Sequence, residues 1–227
     1  MSKYYYQETN YISDFAQKKV VDMIFCWLTL GIGVTTLCAY IVSILPLTIQ
    51  MYEYIFIASA IISFVFLFAI NSAKNSSSSK LLYFAFAINE GIMLSSIFLV
   101  YQLMSIVVSL GVTTFLFLLM FFIGKTTKIN LLEYGSFFFF GLIGIIIASI
   151  LNIFIASTAL EWVTTYVAIV LFFGLIMYDA QAIKADLAYV KEYDDYAKRL
   201  SIKHALSLYL DFINLLLQIL KILGKKK

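Results

Sequence analysis

Three carboxylates stand where the surrounding chain is apolar. Asp179 interrupts LFFGLIMYDAQAIK (171–184), Asp211 lies among leucines in SLYLDFINLLL (207–217), and Glu90 follows Asn89 in LYFAFAINEGIMLSS (82–96). An ionised aspartate at the middle of a membrane-crossing helix costs roughly 2.5–3.5 kcal/mol even on the lenient insertion scale, so such groups face a bundle interior and find partners. Two carboxylates that meet in a low-dielectric site cannot both ionise cheaply, and the pair would share a proton at lower pH. Losing that proton leaves two negative charges that repel each other or attract a cation, which is the physical basis of a pH-controlled gate. Carboxylate oxygens suit hard cations such as calcium. Two of them with Asn214 fall short of the roughly six to eight oxygens of a tight calcium site, so binding would be weak, as permeation requires.

The neighbours of Asp211 extend the pattern. His204, Ser207, Asp211, Asn214 and Gln218 are spaced by three, four, three and four residues, one stripe of an α-helix whose other side is leucine and isoleucine. Such a stripe either glues helices by hydrogen bonds or lines a water-accessible ion or proton site. His204 reads as a residue entering a helix from a loop, or as a pH sensor. Tyr178 and Gln181 flank Asp179 and are supporting candidates. Glu90 with Asn89 is either a packing-face pair beside Gly91 or a further part of the site lining. Glu53, Glu133 and Glu161 fall at segment starts, where a carboxylate suits a helix N-terminus or the interface.

The elements that must position these residues are membrane helices. The 227-residue chain is 63% hydrophobic and 13% charged, with mean hydropathy +0.95, far from the range of soluble domains. Apolar runs recur at 20–45, 53–70, 81–101, 103–123, 134–156, 162–183 and 205–223. At ~1.5 Å per residue, such runs are long enough to cross a ~30 Å hydrocarbon core. The expectation is an all-α polytopic membrane protein. It comprises an N-terminal segment (1–19), one seven-helix membrane domain (20–223) and a basic tail (224–227). No cleavable signal peptide is expected, because residues 1–19 are polar and the first apolar run is too long for one. Cys26 and Cys38 share one run and cannot bridge to each other. The polar stretch 71–80, NSAKNSSSSK, reads as a solvated linker, and 182–203 as a long charged loop.

Basic residues give an orientation. Lys3, Lys18 and Lys19 precede the first run, and Lys74, Lys80, Lys125 and Lys128 fall in the second and fourth connections. Lys184, Lys191, Lys198, Arg199 and Lys203 fall around the sixth, while the first, third and fifth connections carry none. By the positive-inside rule the N-terminus is cytoplasmic. Lys221 and the lysines at 225–227 depart from this pattern: the seventh run either spans with a basic tail outside or is re-entrant. The positive charge resides in loops and needs no nucleic-acid partner.

MYDAQAIK (177–184), ALSLYLDFINLLLQIL (205–220) and the NEG of residues 89–91 resemble the Bax inhibitor-1 family, also called the transmembrane Bax inhibitor motif family, and the resemblance covers essentially the whole chain. It implies a seven-transmembrane-helix bundle with the last helix central. It also implies a pH-sensitive calcium leak through a di-aspartyl sensor, here Asp179 and Asp211, with calcium as permeant ion and no cofactor. Bacterial relatives can supply a basic partner near the cytoplasmic end of the second helix, where this chain has Asn71, Ser72 and Lys74. The short tail and minimal length suggest a bacterial plasma-membrane member.

Other functions compete for the same residues. A proton-coupled cation antiporter would use the same acids. A non-transporting regulator would bind membrane proteases or cell-death proteins, although no loop identifies such a partner. Intramembrane aspartyl proteases also carry a YD motif but pair it with GxGD, whereas Asp211 follows Leu208, Tyr209 and Leu210. With one histidine and no phosphate-binding glycine pattern, an enzyme is not expected.

Overall fold

The computed structural model describes the backbone of residues 2–227 and the side chains from Ser13 onward; Lys3 of the orientation count lies outside the described side chains. Eight α-helices follow in order: α1 (Ser2–Ser43), α2 (Ile49–Ser72), α3 (Ser76–Leu94), α4 (Ile97–Val100), α5 (Leu103–Thr126), α6 (Gly135–Ile155), α7 (Thr158–Leu187) and α8 (Asp195–Leu223). A 3-10 turn, Leu131–Tyr134, leads into α6, and no strand occurs among the described residues. Seven stretches are long and apolar enough to cross a membrane, with α3 and α4 forming one of them and the 3-10 turn with α6 another. The seven expected runs are all present. Half of the apolar window of α8 is buried against 6% of that of the 3-10 turn with α6, the largest and the smallest shares of the seven.

Local chemistry sets the helix ends. Pro46 lies in the α1–α2 connection, and Thr48 caps α2 by accepting from the Met51 N–H at 3.3 Å. Between α3 and α4, the Ser95 hydroxyl takes the Ile92 carbonyl at 2.7 Å and competes with the backbone ladder. Ala156 ends α6 in the left-handed region, at φ 50°. Asp194 starts α8 by accepting from the Ala197 N–H at 2.9 Å.

Two expectations about connections need correction. The serine run at 76–79 is the first turn of α3 and not a solvated linker. The Asn75 side chain caps it by accepting from the Ser78 N–H at 2.8 Å, and Ser76 and Ser79 are buried. The long loop expected at 182–203 shrinks to residues 188–194, because α7 runs on to Leu187 and α8 begins at Asp195. Charge does not break a helix there; it caps one.

The chain forms two compact units. The first contains Met1–Tyr101, Asp186–Tyr209 and Lys227, and the second contains Gln102–Ala185 and Leu210–Lys226. In the first, α3 packs on both α1 and α2. Gly91 makes this close approach possible: a Cβ there would lie 2.6 Å from the Thr35 carbonyl oxygen and 2.6 Å from the Cys38 Cβ. In the second unit α5 meets α7 at Gly124, where a Cβ would lie 2.5 Å from the Met177 Cα. That contact falls two residues before Asp179.

The C-terminus is anchored. In the second unit the Lys225 N–H donates to Ser105 Oγ at 3.0 Å, and the Gln102 N–H donates to the Lys225 carbonyl at 3.0 Å. In the first, the Lys227 N–H donates to the Val100 carbonyl at 2.9 Å. Lys221 lines a cavity of about 380 Å³ with Ser157 and Glu161 at the α6–α7 connection. The basic tail therefore sits at the third connection and Lys221 of α8 at the fifth, two of the three free of lysine and arginine. The seventh run lies within the continuous 29-residue helix α8, which is long and apolar enough to cross a membrane.

Candidate functional site

The site is built on α7 and the second half of α8, both within the second unit. Asp179 and Asp211 are 7% and 6% exposed and lie within electrostatic reach of each other. Asp211 Oδ2 is buried and accepts no hydrogen bond. Beside Asp211, the Phe212 ring meets Phe117 of α5 edge-on at 5.6 Å between centroids. Tyr178 packs edge-on against Phe138 at 5.8 Å and fills the space at Gly135. Two buried oxygen-bearing groups acting on each other can hold a proton between them or attract a cation.

Most of the supporting candidates make hydrogen bonds of their own. Asn214 donates to the Leu210 carbonyl of its own helix at 2.8 Å. Gln181 ties down the α5–α6 connection: its Oε1 accepts from the Leu131 N–H at 2.8 Å, and its Nε2 donates to the Ile129 carbonyl at 2.8 Å. Ser207 is half-buried on α8. His204 is buried inside α8, more than two turns past its start, and donates from Nε2 to Asp186 Oδ2 at 3.0 Å. It is a helix-interior residue and not one at a loop edge. Arg199, a turn before it, pairs with Asp195 at 3.3 Å. The Asp195 carboxylate also accepts from the Ser76 N–H at 3.0 Å, so the start of α8 caps the start of α3.

Glu90 belongs to the first unit and has partners of its own. Asn89 Nδ2 donates to the Ser59 carbonyl at 2.9 Å and to Ser63 Oγ at 2.8 Å, and Ser63 Oγ donates in turn to Glu90 Oε1 at 2.5 Å. A second chain runs nearby, in which Thr35 Oγ1 donates to the Ala87 carbonyl at 2.9 Å. With its proton committed there, Thr35 accepts from the Tyr209 hydroxyl at 2.6 Å. Tyr209 is within electrostatic reach of Glu90.

Hydroxyl stripes were the signal missed in the sequence. Ser59 and Ser63 on α2, and Ser105, Ser109 and Thr113 on α5, recur every fourth residue inside apolar runs and make up half of the buried residues of α2 and three of the five of α5. Serine and threonine are close to neutral in hydropathy, so runs containing them still score as lipid-facing.

Comparison with known proteins places this architecture. Residues 17–227 match the family model described as inhibitor of apoptosis-promoting Bax1. The inner membrane protein YbhL of Escherichia coli is 34% identical over 211 residues, covering 90% of each chain. An uncharacterized protein of Borreliella burgdorferi is 34% identical over 93% of this chain and 94% of its own. The uncharacterized protein RP147 of Rickettsia prowazekii is 39% identical over 67% of this chain and 64% of its own. A match over nearly the whole chain, joined to seven membrane-length helices with paired aspartates on the last two, makes this protein a member of the Bax inhibitor-1 family.

Proposed function

We propose that this protein is a pH-sensitive calcium leak channel of a bacterial plasma membrane, gated by a proton that Asp179 and Asp211 share. The observation that supports it is the pair itself: two buried carboxylates on helices of membrane-crossing length lie within electrostatic reach of each other, and Asp211 Oδ2 has no hydrogen-bond donor. A carboxylate at position 211 that only held helices together would be satisfied by donors. Among the described residues no third acid, histidine or cysteine joins the two to complete a metal site. A pair of carboxylates falls well below the roughly six to eight oxygens of a tight calcium site, so calcium entering here would bind weakly and leave. The distribution of basic residues supports a cytoplasmic N-terminus, and the relative named as an inner membrane protein supports the plasma membrane.

Calcium flux into dye-loaded proteoliposomes, measured across pH, tests this reading. The wild type is expected to leak with a pH-dependent rate, and Asp179→Asn and Asp211→Asn are each expected to flatten that dependence. An unchanged pH profile in both variants would sink the shared-proton gate. Flux that moves protons in fixed ratio to calcium would instead indicate an antiporter built on the same acids.

The description of the matching family model favours a second reading, a membrane regulator that acts by binding other proteins. Under it, a lipid-embedded partner co-purifies with the protein, and vesicles with and without the protein leak equally.

A further inference from the structure

One face of α5 is built for something other than packing. Ser105, Ser109 and Thr113 follow each other at four-residue intervals, and Ser109 and Thr113 are 0% exposed. Residues four apart lie on the same helix face, so the three form one stripe. The outward residues of the same helix include Val107, Val108, Phe115, Leu118 and Phe122. Two contacts bring this face to the C-terminal part of the chain: Phe117 meets Phe212 of α8 at one end, and Ser105 accepts from the Lys225 N–H, two residues past α8, at the other. The two contacts are twelve residues apart on α5, about 18 Å at the α-helical rise. Asp211 adjoins the first of them.

Ser109 Oγ and Thr113 Oγ1 are fully buried and make no hydrogen bond. That is unlike several other threonines of this chain's helices. Thr36, Thr114 and Thr164 each donate to the carbonyl four residues earlier, at 2.8 Å. Helix-interior hydroxyls take that bond when nothing else claims them. Burying a hydroxyl without a partner is unfavourable, so buried polar groups left open call for a ligand or a functional reason. Helix glue would show cross-helix bonds at these positions.

We propose that Ser105, Ser109 and Thr113 line a hydrated conduit for hard cations, leading from the Asp179–Asp211 pair to the membrane face that carries the C-terminal tail, with the Lys225 backbone as its cap. This rests on the leak reading above and adds the route on one side of the gate. Hydroxyl oxygens are neutral, hard donors that replace part of a cation's hydration shell without trapping it. A conduit of this kind passes ions with low affinity along its length and leaves charge selection to the aspartates.

Thiol accessibility tests the conduit directly. In a background with Cys26→Ser and Cys38→Ser, Ser109→Cys, Thr113→Cys and the lipid-side control Thr114→Cys are reconstituted and exposed to a cationic, membrane-impermeant methanethiosulfonate. The reagent is added on the side reached by a Lys225→Cys control. Since the thiolate reacts and forms only where water reaches it, positions 109 and 113 are expected to react at least about tenfold faster than 114. Millimolar calcium should slow that reaction, and removing residues 225–227 should speed it severalfold. Reaction at 225 with 109 and 113 no faster than 114 would overturn the conduit. Should a cysteine variant fail to fold, calcium flux in Thr113→Val against Thr113→Ser replaces it: a drop in Val that Ser does not share supports the conduit, and equal flux in both overturns it. Thiol reactivity decides the conduit and the aspartate variants decide the leak, so failure of either is seen separately.

Discussion

The two units of this protein treat buried polarity in opposite ways. In the first, the groups around Glu90 form a closed account: Asn89 uses both amide hydrogens, Ser63 relays to the carboxylate, and Thr35 links Tyr209 to the α3 backbone. The one buried polar atom of the described part of that unit without a hydrogen bond, Arg199 Nε, stands 3.3 Å from Asp195 Oδ2. In the second, Asp211 Oδ2, Ser109 Oγ and Thr113 Oγ1 are buried and open. Both units contain a carboxylate inside a membrane-crossing helix, so ionisability alone does not distinguish glue from chemistry. Satisfaction does. A fully bonded network rigidifies a helix pair, whereas an open one keeps valence for protons, water or ions.

This contrast can be broken most sharply by exchanging each acid for leucine. Asp211→Leu is expected to abolish the pH response of calcium flux while leaving the unfolding temperature in detergent unchanged or raised, because it removes an open buried group. Glu90→Leu should do the reverse and lose about 1–3 kcal/mol of stability, since the Ser63 hydroxyl is left without its acceptor. A Glu90→Leu protein as stable as the wild type would dissolve the distinction. A double-mutant cycle between Ser63 and Glu90 then sharpens it, with an expected interaction of about 1–3 kcal/mol.

Next in size is the spacing that holds the second unit. Gly124→Ala drives a methyl into the Met177 backbone and should cost about 1–3 kcal/mol. Because Met177 lies two residues before Asp179, the pH profile of flux should move with it. Gly111→Ala, on the same helix with open space around it, should instead gain about 0.5–1 kcal/mol from helix propensity and leave the profile alone. Smallest is Thr35→Val, which deprives Tyr209 of its acceptor and should cost about 1 kcal/mol with no change in flux. Thermal unfolding followed by circular dichroism reads all of these.

The seven crossings and the two aspartates could be read from composition and spacing, because long apolar runs and misplaced charges are the strongest signals a chain carries. What escaped was contact between distant parts. His204 reads as an edge residue until Asp186, eighteen positions earlier, is found against it. Gln181 reads as a neighbour of Asp179, yet its amide faces the α5–α6 connection. The serine run at 76–79 has loop composition, and only the cap geometry of Asn75 makes it a helix start. The hydroxyls of α5 were visible at their spacing, but which of them would be bonded is decided by tertiary packing.

The cap that Asp195 places on the Ser76 N–H has a consequence for synthesis. The two residues are 119 positions apart. At ribosomal rates of about 5–20 residues per second, α3 would wait roughly 6–24 s for the carboxylate that completes its first turn. The helix that carries this carboxylate is also the most buried and the last to be made. Its Tyr209 then finds the Thr35 hydroxyl of the first helix, 174 positions back. A nascent chain stopped before α8 thus lacks the helix that buries the largest share of its apolar window. Quality control that recognises exposed polar faces between membrane helices would have its target in that interval, and lose it when α8 arrives.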